Sequence, residues 1–294
     1  MIFIFLVIIL NICLSYSRKS DDKIIISLSS NYENINNVNK VINSIIEQNV
    51  DNSLYQIILI ISKKDFNNKS DLPKTLLKLE KSQKLRILLI KDSLNTQIKL
   101  IFANKKYPNN PILLISDNII FPYGWLNMFI NDHKKYPNDT ISASIQYYFG
   151  KNLEIKEFLE GYNGEKFGTF NQVADMIFNF ALINTELGGT LYPPHYFKNE
   201  TFYDSNIFLN IANNSDEFWQ SYFIMKENKT LRQSSKIYDY TKYLINDNKY
   251  NNKSNIEKRR LLEIIKLSFM NYFSDFREIV EYRQKKNNYF IYFT

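Results

Sequence analysis

Four short runs of aliphatic, largely β-branched residues, each closed by polar residues, constrain this chain more than any other feature. The first is KIIISL over residues 23–28, closed by Ser29-Ser30-Asn31. QIILII over 56–61, KLRILLI over 84–90 and PILLI over 111–115 follow. Apolar runs of this length without alternation read as strands buried on both faces. Helical stretches join them. Val38, Val41, Ile42, Ile45 and Ile46 recur at helical spacing within 36–48, Leu72-Pro73 opens a second helix, and 97–105 forms a third before Tyr107-Pro108. Parallel strands need crossovers, and both faces of their sheet need cover, so this order predicts an α/β fold with a mostly parallel, doubly wound sheet. Ligands of such sheets bind beyond the carboxyl ends of the strands, which selects residues 29–34, 62–65, 91–94 and 116–118.

The chain has 294 residues, 45% of them hydrophobic, enough for one large core. We read 22–230 as one domain and 231–294 as a helical extension packed on it, with a long amphipathic helix over 256–283. Within the domain's second half, 123–135 and 216–225 read as helices, 140–148 as a strand, and 154–171 as a polar surface stretch. Gly188-Gly189 precede Tyr192-Pro193-Pro194, a pattern that allows a backbone to approach a ligand closely and then turn rigidly.

Residues 1–17 form an apolar run ending in Ser15-Tyr16-Ser17, the small-x-small pattern of a signal peptide, which implies the ER and Golgi lumen or secretion. An uncleaved anchor giving membrane association is the alternative, although Asn11 interrupts a run already shorter than the ~20 residues of a spanning helix. The one cysteine, Cys13, lies in that run, so the mature chain has no disulfide. Sequons at Asn68, Asn138, Asn199, Asn213, Asn228 and Asn252 are consistent with glycosylation, and chance in so Asn-rich a chain also supplies such sites.

A net charge of +7 suits anionic partners: nucleotide sugars, phosphorylated lipids or membrane surfaces. No motif interleaves aromatic and basic residues as RNA-binding sheets do, so no nucleic-acid partner is expected. There is no G-x-G-x-x-G, no phosphate-binding P-loop and no G-x-S-x-G elbow, and His133 and His195 lack metal-ligand spacing.

Five segments together carry a family resemblance. They are Ser27-Leu28-Ser29-Ser30; Ile61-Ser62 with Phe66 and Asp71-Leu72-Pro73; Ser116-Asp117-Asn118-Ile119-Ile120-Phe121-Pro122 with Trp125-Leu126; Gly188-Gly189-Thr190-Leu191-Tyr192-Pro193-Pro194; and Asp216-Glu217-Phe218-Trp219. In this order they resemble a family of GT-A glycosyltransferases, distant relatives of family 2 that use nucleotide-diphospho-sugar donors. The resemblance implies transfer of a sugar to a glycan, protein or lipid acceptor. It implies Ser29, Ser30, Asp92, Lys99 and Asp117 around the donor nucleotide. Gly188, Gly189 and Trp219 would form an acceptor-side wall, and Asp216 or Glu217 would be the base that deprotonates the acceptor.

The family closes its fourth strand with an aspartate triplet that holds Mn²⁺ or Mg²⁺ beside the diphosphate. In this chain the outer positions are Ser116 and Asn118, so any metal falls to Asp117 and Asn118 and is weakened by two missing charges. Asn34 stands where the family has an arginine, and it cannot supply a guanidinium to a phosphate. A catalytically inactive relative that binds carbohydrate or a protein partner is therefore the alternative reading. Asp117 with Asn118 would then be a turn cap, and Asp216 with Glu217 a helix start.

Overall fold

The computed structural model describes residues 23–91, 98–149, 180–184, 187–205, 207–208, 216–227 and 229–245. The 1–17 leader, Asp92, the 154–171 stretch and the 256–283 helix lie outside the described residues.

A seven-stranded sheet organises the chain: β1 (Ile24–Ser30), β2 (Tyr55–Ser62), β3 (Arg86–Ile90), β4 (Ile112–Leu114), β5 (Thr140–Ser142), β8 (Thr190–Tyr192) and β9 (Leu231–Gln233). A separate two-stranded antiparallel sheet pairs β6 (Ile145–Phe149) with β7 (Phe180–Asn184). The strand order is β3-β2-β1-β4-β8-β5-β9. Parallel pairing joins β1 to β2 and β4, β2 to β3, and β5 to β9, whereas β8 runs antiparallel between β4 and β5. The α/β class and mostly parallel sheet are thus as the apolar runs predict.

Both faces are covered. Ile24, Ile26 and Leu28 of β1 share a core with Val38, Val41 and Ile42 of α1 (Ile35–Ile46), Leu76 of α2 (Lys74–Lys81), and Trp125 and Phe129 of α4 (Trp125–Lys135). On the other face, Ser27 Oγ donates to the Lys99 carbonyl at 2.9 Å, seating α3 (Ile98–Lys106) against β1. Further along that face an aromatic chain runs from Tyr192 through Phe197, Phe202 and Phe223 to Trp219 of α5 (Asp216–Lys226).

Three expectations shift. The first strand continues through Ser29 and Ser30, because both pair with Ile60 and Ile61 of β2 instead of opening a loop. The apolar run over 140–148 breaks at Ala143-Ser144, where Ser142 Oγ donates to the Ser144 carbonyl, and its two halves join different sheets. Residues 231–245 contribute a strand and a short 3₁₀ turn (Tyr240–Tyr243) where a helical extension was expected.

Candidate functional site

In the order β3-β2-β1-β4 the chain's direction of travel reverses between β1 and β4, and open α/β sheets bind ligands beyond the carboxyl ends of the strands at such a point. Ser30, the last residue of β1, and Asp117, three residues past β4, meet there: Ser30 Oγ donates to Asp117 Oδ2 at 2.6 Å. A bond this short to a carboxylate is charge-assisted. Beside it, Ser116 Oγ donates to Asn118 Oδ1 at 2.5 Å. The two neutral residues in the triplet's outer positions therefore satisfy each other.

The turn is held from two sides. Ser44 Oγ accepts the Phe121 amide at 3.0 Å, and Gln48 Nε2 donates to the Pro122 carbonyl at 3.0 Å. On the outer side the segment after β9 lies antiparallel to it, with the Ile245 amide on the Asn118 carbonyl at 2.7 Å and the Ile120 amide on the Tyr243 carbonyl at 2.9 Å. Buried Trp125 stacks on Phe121 at 3.9 Å and donates from Nε1 to the Gly188 carbonyl at 2.7 Å.

Gly188 and Gly189 both adopt positive φ, +86° and +101°. The close approaches they permit are to the protein itself. A Cβ at Gly188 would lie 2.4 Å from the Tyr240 ring, and one at Gly189 would lie 3.0 Å from the Leu114 carbonyl oxygen. Tyr240 is buried and its hydroxyl has no hydrogen-bond partner among the described residues. Burial first, then the neighbouring phenols of Tyr238 and Tyr243, push its pKa far above the ordinary tyrosine value. Trp219 is likewise internal, fully buried with Nε1 donating to the Phe202 carbonyl at 3.1 Å.

Asp216 and Glu217 open α5 and are both buried, and Asp216 Oδ2 has no hydrogen-bond partner among the described residues. Such an oxygen is costly to bury without a partner. After α5 the chain reaches β9 within a few residues, at the amino ends of the strands, where the Thr140 amide donates to Thr230.

Lys99 is buried on α3 and has a partner, so it is not the solvated lysine a helix face usually carries. Ser29 is half-buried in β1. In the loop after β1, Tyr32 is 73% exposed with its ring 5.8 Å from Phe66. Its neighbour Asn34 precedes α1 without a side-chain capping bond. His195 lies at the other end of the sheet, its amide donating to the Pro108 carbonyl.

Sequence reasoning missed the segment from Tyr238 to Ile245. Its signal was three tyrosines within six residues, but their partners at 118–124 and 188 are remote along the chain. No three His, Cys, Asp or Glu residues cluster as a metal site among the described residues. A cleft of about 750 Å³ lies instead at the amino ends of β2 and β3, lined in part by Lys23, Gln56, Glu80, Lys84 and Arg86.

No protein-family model and no curated protein matches this chain. Solved structures do match. One, the crystal structure of 4-diphosphocytidyl-2C-methyl-D-erythritol synthase from Anaerococcus prevotii, is similar over 83% of this chain and 99% of its own, at 12% identity and a TM-score of 0.44. That likeness is too loose to carry function.

Proposed function

We propose that this chain is a glycosyltransferase of the GT-A type that takes a nucleotide sugar at the carboxyl ends of β1 and β4. The sugar passes to a glycan, protein or lipid acceptor in the lumen of the secretory pathway. The observation that carries this reading is the Ser30–Asp117 contact, which sits at the reversal of strand order where open α/β sheets bind ligands. Ser29, Ser30, Lys99 and Asp117, together with Asp92, would line the donor side.

In the proposed reaction Asp216 or Glu217 takes the proton of the acceptor hydroxyl. The freed oxygen attacks the anomeric carbon, the bond from that carbon to the phosphate oxygen breaks, and the nucleoside diphosphate leaves with the bonding pair. The luminal location rests on the apolar leader and the sequons, of which Asn68 and Asn138 are exposed.

The test is transfer and hydrolysis with a panel of nucleotide sugars. Asp216→Asn combined with Glu217→Gln should lower turnover about 10²- to 10⁴-fold. Undiminished turnover in that double variant would remove the assigned base.

A second reading, a non-catalytic relative that binds carbohydrate or a partner, is favoured by one observation. Gly188 and Trp219, expected to wall the acceptor, are filled by Tyr240 and Phe202 of the chain itself. Nucleotide-sugar binding without turnover in the same panel would select it.

A further inference from the structure

A divalent cation such as Mn²⁺ or Mg²⁺ binds hard oxygen ligands, and at a diphosphate site the protein must contribute enough negative charge to hold it there. The turn after β4 offers one carboxylate, Asp117, and Ser30 already occupies one of its oxygens at 2.6 Å. The amide oxygen of Asn118, the second ligand expected from sequence, already accepts from Ser116 at 2.5 Å, which leaves one lone pair. Freeing it would break a hydrogen bond and move a turn pinned from both sides by Ser44, Gln48, Tyr243 and Ile245. Among the described residues no other cluster of carboxylates or imidazoles is on hand to replace these ligands.

We infer that the crevice between β1 and β4 binds its nucleotide without a divalent cation, an inference that rests on the nucleotide-sugar reading above. The charge of the diphosphate then falls to protein cations. Exposed Lys63 and Lys91 follow β2 and β3 at the same end of the sheet, and Lys236 Nζ comes within 3.9 Å of the Cβ position of Gly124, just past the turn. The remaining oxygen of Asp117 suits a neutral hydroxyl donor of the ligand better than a phosphate.

The experiment titrates the full chain with UDP, GDP and CDP by calorimetry, in EDTA and in Mn²⁺, on wild type and on Asp117→Asn. Paramagnetic resonance of Mn²⁺ with protein alone gives the metal arm. The inference expects at least one nucleotide to bind with an affinity that differs less than about threefold between EDTA and Mn²⁺. It also expects Asp117→Asn to weaken binding by the same factor in EDTA as in Mn²⁺, and no Mn²⁺ bound to protein alone at millimolar metal. Tightening of tenfold or more by Mn²⁺, lost in Asp117→Asn, overturns the inference and leaves the nucleotide reading standing. Absence of binding for all three nucleotides in both conditions overturns the nucleotide reading and the inference with it.

Discussion

Ser30 and Asp117 are separated by 87 positions in sequence and by 2.6 Å in space, joined across the point where the strand order of the sheet reverses. Each ends or follows a buried parallel strand, and the β1–β4 register, with Ser27 opposite Leu114, brings those ends level. A double-mutant cycle of Ser30→Ala and Asp117→Asn should give a coupling of about 1 kcal/mol, below the usual range for a bond to a charged group because both residues are half-buried. Chemical denaturation of the four proteins measures it, and additive effects would mean that the contact holds nothing in place.

Gly188→Ala should be the most damaging small substitution near the site. It combines a φ of +86° with a Cβ 2.4 Å from the buried Tyr240 ring, for a cost of about 3 kcal/mol from backbone strain and overpacking together. Gly124→Ala shares the positive φ, but beyond the adjoining residues its Cβ would meet nothing nearer than the Tyr238 hydroxyl at 3.6 Å, so about 1 kcal/mol is expected. Thermal melts of the two variants side by side separate clash from strain.

Tyr240 makes stability fall in alkali. With its folded pKa raised, the phenol stays neutral in the native state while the unfolded chain ionises near the ordinary value of about 10. The protection is complete below that value. As pH climbs above it toward the folded pKa, stability drops by up to about 1.4 kcal/mol per pH unit. Tyr240→Phe should flatten that decline and, because the hydroxyl is buried without a partner, be neutral or stabilising at pH 7. Denaturation midpoints between pH 7 and 11 check both statements.

Trp219→Phe should weaken the fold and leave ligand affinity alone. The indole is fully buried, donates to the Phe202 carbonyl, and meets the ring of Phe223 at 4.9 Å. Loss of the hydrogen bond and of ring volume costs about 2 kcal/mol. A nucleotide affinity reduced more than tenfold in a folded Trp219→Phe protein would restore this residue to the binding wall.

The strands that position the site were legible because burial on both faces leaves an uninterrupted apolar signature, as in QIILII and PILLI. The three-residue strands β8 and β9 were not, since so few residues show no periodicity and their places depend on β4 and β5. Ser30, Asp117 and Asp216 came from the resemblance, and local signals placed them only roughly: the first strand runs through Ser29 and Ser30, past its apolar signature, while Asp216 does open a helix. What Gly188 and Trp219 face could not. A glycine pair announces a close approach without saying to what, and an aromatic residue beside two acids looks alike whether it lines a crevice or joins Phe202 and Phe223 in the interior.

Amide hydrogen exchange with and without a nucleotide sugar that binds tests the central claim most directly, because it asks where the ligand sits without asking whether it reacts. Added protection at residues 29–34 and 115–124, around Ser30 and Asp117, is the predicted result. Protection confined to the amino-end cleft of Lys23, Lys84 and Arg86 would contradict the account.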